Sequence, residues 1–418
     1  MTGDRIAKGP SRSITHRASH RIVAQIVAFN AHSEPERRAM KYQAMCASSF
    51  AFFRGTAHLA WSWLADRSVT LPDAPHVWCT GDLHLENFGT FRGENGLAYF
   101  DLNDFDEAAL APATWEVSRF VTSVFVAADG GVIDSALPLQ LAAAFLDAYR
   151  SALIAGKAQW IERATATGIV RTLLHQVKRR SNAELVDSRT TGRGRRRRLL
   201  VDGRRALPAT RQEHEHVSAW MSAYAARSRD PVAYELLDVA RRIAGTGSLG
   251  FGRFVLLVRR THGSRQCVLL DVKEARPSTL GAALPGLQPS WPNDAARIVT
   301  IQRHMQAIAP ASLRGVRAAS MAYVLRELQP TEDRIGLDSA MPVDVLSTVM
   351  REMGLATAWA QLRSASRDGA ARIDDLIAFA RGRGWRRDVL TAARQAAQRN
   401  ARDWRAFVDA AHSNALST

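Results

Sequence analysis

The segment Gly81-Asp82-Leu83-His84-Leu85-Glu86-Asn87 sets a carboxylate and a carboxamide five positions apart, just after the apolar run Val77-Trp78-Cys79. Two such side chains on one loop can divide two jobs. The Asp82 carboxylate meets a substrate hydroxyl, while the Asn87 amide oxygen turns towards a metal ion. Asp104 follows in Asp101-Leu102-Asn103-Asp104-Phe105-Asp106-Glu107, beyond a second apolar run, Leu97-Ala98-Tyr99-Phe100. A carboxylate there completes oxygen ligation suited to Mg2+, with Asp101 and Asp106 as rivals or helpers. Phosphoryl transfer needs this division, because its loose transition state asks for positioning and charge neutralisation more than covalent help. Taken singly, each residue reads as a turn former or helix cap. Their joint spacing points to a phosphate and metal site.

Three neighbours have plain structural readings beside the functional ones. His84 orients Asp82 or a ligand, or is a satisfied loop histidine. Arg54, following Phe52-Phe53, reaches a phosphate or pairs with a loop carboxylate. Arg119 is expected to be a structural partner of Glu116 or of an aspartate.

A second cluster runs from Gly245 to Gly252 as Gly-Thr-Gly-Ser-Leu-Gly-Phe-Gly. Glycines between two strands let backbone amides approach phosphates without a Cβ in the way, so Gly245, Gly247, Ser248, Gly250 and Gly252 are candidate nucleotide contacts. Lys273, in Leu269-Leu270-Asp271-Val272-Lys273, is one of only five lysines in the chain and sits on an apolar strand-like run. It is expected to supply a point charge to phosphate oxygens. No GxxxxGK[ST] occurs, so a P-loop is excluded. Strand texture rather than helix follows the glycines, so a dinucleotide fingerprint fails too.

The elements that must hold these groups follow from patterning. Residues 1–33 are polar and read as a loose basic arm. Helices are expected over 34–45 and 57–64, on either side of an apolar run at 49–55, and Val77–Cys79 is expected to pair with Leu97–Phe100 in a hairpin. Helices follow at 115–127 and 137–153. An Arg-rich stretch leads into a turn at Asp202-Gly203, helical patterns cover 211–243, and then the order is strand, Gly-rich turn, strand, turn, strand. A helix at 295–307, a strand at 319–328 and long helical periodicity from Val343 complete an α+β chain. The expected units are 1–33, the arm; 34–165, with the catalytic and metal loops; 166–230, the Arg-rich hairpin and linker helix; 231–330, a nucleotide-binding lobe; and 331–418, a helical C-terminal region.

Bulk properties narrow the class. The 418 residues are 46% hydrophobic and 23% charged, which excludes a disordered chain. No apolar run is long enough to span a bilayer and no secretory leader stands at the start, so a cytoplasmic protein without membrane partner is expected. Cys46, Cys79 and Cys267 show no metal or disulfide spacing. The net charge is +16, yet residues 171–211 alone hold 13 Lys or Arg against Glu184, Asp187 and Asp202, a net +10. That placement allows a solvated hairpin, a flap for an anionic acceptor, or a weak nucleic-acid surface.

The blocks Phe50-Ala-Phe-Phe-Arg-Gly-Thr-Ala, Trp78-Cys-Thr-Gly-Asp-Leu-His-Leu-Glu-Asn-Phe-Gly and Phe100-Asp-Leu-Asn-Asp-Phe-Asp-Glu-Ala resemble the bacterial domain of unknown function 2252 family. That family is grouped with the aminoglycoside phosphotransferase and choline kinase branch of the protein-kinase-like fold. The resemblance spans about 34–400. It implies a two-lobe kinase-like fold, ATP and Mg2+ as cofactors, Asp82 as catalytic base, Asn87 and Asp104 as metal ligands, 245–252 as the phosphate-covering loop and Lys273 as the phosphate lysine. In such kinases the Gly-rich lobe precedes the catalytic loop. Here it follows, which implies a circular permutation and requires Lys273 and Asp104 to face one cleft. Thr80 stands where small-molecule kinases carry His, and Ser49 where the family carries Pro. The helix after Lys273 lacks a glutamate, leaving Asp294, Gln302 or Glu327 to pair with it. The functions expected are phosphotransfer to a hydroxyl of an unidentified acceptor, or else, from the missing glutamate and the basic segment, a nucleotide-binding pseudokinase or regulator with a basic docking surface for nucleic acid or an acidic partner, or a nucleotidyl transferase.

Overall fold

A computed structural model describes residues 11–227, 234–245, 250–261, 266–318, 321–330, 332–413 and 416. Four helices come first: α1 (Ser11–Asn30), α2 (Pro35–Ala47), α3 (Ser49–Gly55) and α4 (Ala57–Ala65). Where a loose arm was expected, residues 11–30 are helix and 31–33 a turn, residues 1–10 lying outside the described residues. The arm's polar composition hides two isoleucines one turn apart, Ile22 and Ile26, which bury in a core shared with Phe52, Trp63 and Phe407. Pro35 opens α2, where a missing N–H costs nothing, and Ser48 caps α3 by accepting from the Ala51 amide at 3.0 Å. The apolar run 49–55 is thus a short helix.

Next come β1 (His76–Cys79), β2 (Phe88–Arg92), β3 (Ala98–Leu102) and β4 (Ala109–Pro112), then α5 (Ala113–Asp129) and α6 (Pro138–Ala155). A tight turn at 93–97 joins β2 to β3. The expected pairing of Val77–Cys79 with Leu97–Phe100 is wrong: β1 pairs antiparallel with β4. A strand hidden in Phe88–Arg92 competes for β3, stacking Phe88 on Phe100 across the register. α5 is buried along nearly its whole length and packs with α6 in the largest core.

The middle of the chain holds short pieces: β5 (Ile161–Glu162), α7 (Gly168–Val177), α8 (Asn182–Asp187), β6 (Thr190–Thr191), β7 (Arg198–Leu199), β8 (Ala206–Pro208) and α9 (Arg211–Arg227). Asp202 Oδ1 accepts from the amides of Arg204, Arg205 and Ala206, so the Asp202-Gly203 turn exists. It does not close a hairpin, since β7 pairs with β6 and β8 with a later strand.

That strand is β9 (Tyr234–Arg242), where helix was expected. It is followed by β10 (Arg253–Arg260), β11 (Cys267–Glu274), α10 (Thr279–Ala283), α11 (Asp294–Met305), β12 (Arg314–Ala318) and β13 (Met321–Glu327). Together with β8 these make a six-stranded antiparallel sheet in the order β12-β13-β11-β10-β9-β8. Phe254, Leu256 and Val258 face α9 through Val217, Trp220 and Met221, while Val255 and Leu257 meet Val186, Leu199 and Leu328 on the other face. This period of two, covered on both sides, overrides the helical pattern in Tyr234–Arg242. α12 (Val343–Ser364), α13 (Ile373–Arg381) and α14 (Trp385–His412) form the helical C-terminal region, α12 against α6 and α14 against α5. The α+β class and the helical C-terminal region are as expected. Among the described residues no helix is long and apolar enough to cross a membrane.

Candidate active site

Asp82 sits on the loop after β1, and the glycine before it explains the loop's shape. Gly81 has φ +84°, and a Cβ there would lie 1.8 Å from the Glu107 carbonyl oxygen. The loop therefore lies against the backbone of the Asp104–Glu107 segment. Thr80 is held from behind: its amide and hydroxyl both donate to Glu116 Oε1 of α5, at 2.7 and 2.5 Å.

Arg119, one turn further along α5, donates to Asp82 Oδ1 from Nε at 2.9 Å and to the Phe53 carbonyl at 2.7 Å, and its guanidinium lies 3.4 Å from the Phe53 ring centroid. Burial pushes the Asp82 pKa up to about 7 against the pull of Arg119. Arg119 is thus the partner of an aspartate, as one reading foresaw. His84 is buried, with the Glu86 amide donating to Nδ1 and Arg54 Nε 3.2 Å from Nε2. Burial, then Arg54, pushes its pKa well below the usual value, so it is a neutral strut rather than a proton carrier. Arg54 also pairs with Glu86 at 2.5 Å, which is the local ion pair of its structural reading.

Asn87 and Asp104 line one cleft of about 380 Å3 together with Lys273. Lys273 Nζ lies 4.0 Å from Asp104 Oδ1 and directly against the Asp106 carboxylate. The partner of Lys273 is therefore Asp106, from the loop after β3. Asp294 instead pairs with Arg297, and Glu327 with Asn182 and Arg260; Gln302 is hydrogen-bonded to Gln306, although it lines the cleft. Burial lowers the Lys273 pKa, opposed by Asp104. Asp101 is drawn away, pairing with Arg363 of α12 at 2.9 Å. The Asn87 side-chain oxygen is buried and has no hydrogen-bond partner among the described residues. An orphaned carboxamide oxygen beside an accessible carboxylate suits a hard cation. Among the described residues no group of three or more His, Cys, Asp or Glu is arranged to hold a metal alone. A cation here would draw further ligands from a bound phosphate.

Of the glycine-rich segment, Gly245 lines the cleft with φ +71°. Gly247 and Ser248 lie outside the described residues. The Gly252 amide donates to Glu274 at 2.8 Å, and Gly250 packs on Ser33, whose oxygen lies 2.5 Å from where a Cβ would stand. Those two glycines permit close packing against protein; the Gly252 amide is already engaged.

Several cleft residues are absent from the motifs. Arg253 pairs bidentately with Asp271 at 2.9 and 2.6 Å, and Arg242 and Arg326 also reach that carboxylate. Burial would raise Asp271, yet the three guanidinium groups hold it well below the usual carboxylate range. Asp271 stands two residues before Lys273 and so shares its face, a signal readable in the sequence. The arginines gave none. Arg297 of α11 donates to the carbonyls of Asp106, Ala108 and Arg276, pinning the 104–108 segment to the residues after β11. None of the described cleft-lining residues comes from 171–211.

A comparison with curated proteins and with solved structures returned no match. A family model described as "Uncharacterized protein conserved in bacteria (DUF2252)" matches residues 33–410, a span that contains Asp82, Asn87, Asp104 and Lys273. On that match, which covers most of its length, the chain belongs to this bacterial family.

Proposed function

We propose that the protein is a Mg2+- and ATP-dependent phosphotransferase with a circularly permuted, kinase-like two-lobe arrangement, acting on a hydroxyl of a small acceptor. The observation that carries this reading is the division of charge across the cleft. Its sheet wall presents Arg242, Arg253, Arg326 and Lys273 around the Asp271 carboxylate, while the loops after β1 and β3 present the orphaned Asn87 oxygen, Asp104 and Asp106. Of the other charged lining residues, Arg54 and Arg334 are already paired with Glu86, and Glu332 with Arg326. A metal–triphosphate has the complementary split: phosphate oxygens for the basic wall, a cation for the acidic loops.

Asn87 and Asp104 would hold Mg2+, which when bound neutralises charge on the transferring phosphoryl group. Lys273 and Arg253 would bind the phosphate chain, with Gly245 giving the backbone room to approach. Asp82, with one oxygen fixed by Arg119, orients the acceptor hydroxyl and takes its proton; a pKa of about 7 suits that exchange. Arg119 acts as a positioning residue.

Calorimetry with Mg-ATP tests the site. The parent should bind, and Lys273→Ala and Asp104→Ala should each weaken binding by about tenfold or more. Equal binding by both variants sinks the assignment. Mass spectrometry of products then separates a gain of phosphate from a gain of nucleoside monophosphate. A second reading, a nucleotide-binding regulator without turnover, draws on the Arg119 contact that occupies one oxygen of Asp82; binding with no transfer to any acceptor would favour it.

A further inference from the structure

Asp82 opens on a second, smaller cavity of about 60 Å3, whose other walls include Phe29, Lys41, His58 and Glu107. The two cavities share Arg54, Asn87, Asp104 and Asp106, so the candidate metal ligands stand on the boundary between them. A phosphoryl group at that boundary has the large cleft on one side and Asp82 on the other.

Lys41 of α2 is only 1% exposed. Among the described residues its ammonium has a neutral hydrogen-bond partner, Asn30 Oδ1 at 2.9 Å, and no carboxylate within ion-pair distance. The nitrogen lies 5.3 Å from the Phe29 ring centroid, a modest substitute for a counter-charge. One of its three N–H donors is used by Asn30, leaving two. His58 stacks on Phe29 with centroids 3.9 Å apart, and both of its ring nitrogens are buried without a partner. A buried cation with no ion pair, whose nearest carboxylates Glu107 and Asp82 act on it only from across the cavity, is costly, and so is a buried imidazole with no hydrogen bond. Both costs fall if a ligand brings an anionic group to this end of the cavity.

We infer that the cavity is the acceptor subsite and that it takes a small hydroxy acid, with the carboxylate on Lys41 and His58 and the hydroxyl on Asp82. This rests on the phosphotransferase reading above. In the step, the acceptor oxygen forms a bond to the γ-phosphorus and the bond from phosphorus to the β,γ-bridging oxygen breaks. ADP leaves with that electron pair, and the hydroxyl proton passes to Asp82. Phe29, in the wall, and Asn30, which holds Lys41, both precede residue 33, where the family match begins. Acceptor selection is thereby set in part by α1 of this chain.

The probes are D-glycerate, glycerol as the uncharged analogue, and orthophosphate, each titrated calorimetrically into the full chain without nucleotide. D-glycerate should bind and glycerol should not at the same concentration. Lys41→Met, of similar length and without the charge, should weaken glycerate binding by about tenfold or more and leave Mg-ATP affinity within about twofold. Equal binding of glycerate and glycerol by the parent, a test that needs no variant, overturns the proposal. So does unchanged glycerate binding in Lys41→Met, or binding of orthophosphate in preference to glycerate, which would make the cavity a phosphate site. If glycerate needs Lys41 while Mg-ATP fails to bind, the nucleotide reading falls and the hydroxy-acid subsite stands.

Discussion

Arg119 Nη2 lies 2.8 Å from Asp82 Oδ1, so the candidate base is held by a guanidinium that is itself almost fully buried on α5. The pair fixes the carboxylate's direction, and its removal should have a recognisable signature. Breaking such a pair leaves an uncompensated buried charge. Arg119→Met is expected to lower stability by about 3–5 kcal/mol in urea unfolding. Adding Asp82→Asn to that variant should restore a large part of the loss. If the double variant is no more stable than the single one, the contact contributes nothing beyond packing.

The pH profile should follow Asp82. Its folded pKa of about 7 means the carboxylate is protonated below neutrality, so transfer should fall by about tenfold per pH unit below 7. Stability runs the other way. A carboxyl whose pKa is raised on folding keeps its proton between about 4 and 7 while the unfolded chain loses it, so its contribution declines as pH rises through that window. Asp82→Asn should flatten the decline. A rate constant across pH 5–8 would show that Asp82 is not the base.

Lys41 gives an opposite and separable slope. Burial lowers its pKa from 10.5 to about 8, so between those values the unfolded chain binds the proton and the folded chain does not. Stability should therefore rise with pH from about 8 to 10.5, by on the order of 3 kcal/mol, and Lys41→Met should remove that rise. Denaturant midpoints of the two proteins measured in parallel check this. Parallel curves for parent and variant would place Lys41 in solvent.

Asp101 and Asp104 should part company. Asp101→Asn breaks the ion pair with Arg363 and should lower stability by about 2 kcal/mol or more while leaving Mg-ATP affinity unchanged. Asp104 has a half-exposed side chain, so Asp104→Ala should leave the melting temperature nearly unchanged and abolish most nucleotide binding. The reverse pattern would exchange their roles.

The loops that carry Asp82, Asn87 and Asp104 were legible because their chemistry lies within two short segments, where spacing constrains placement. Local patterns also located α5, α6, α11 and the helical C-terminal region, because long helices carry their period with them. The pairing of β1 with β4 was not legible. Short apolar runs look alike, and the competition for β3 is decided by which partner buries Phe100, a contact between strands rather than within one. Tyr234–Arg242 misled for a related reason: its apolar residues come in adjacent pairs, Leu236-Leu237 and Val239-Ala240, without alternation, so its strand state is decided by pairing with β10 and β8 rather than within the segment.

Sequence alone determined the α+β class and the family, since composition, periodicity and motif blocks suffice for these; the side chains it proposes for phosphate chemistry omit Arg242, Arg253 and Arg326 of the cleft. It also singled out Lys273 as a rare lysine on an apolar strand. Only the tertiary structure decided that Lys273 faces Asp104 and rests on Asp106, that three arginines converge on Asp271, and that Lys41 lies buried in the cavity of Asp82 without a direct ion pair among the described residues. These are relations between elements far apart in the chain. They arise when the sheet folds over the half that carries Asp82 and Asp104, where packing and desolvation set which charges meet.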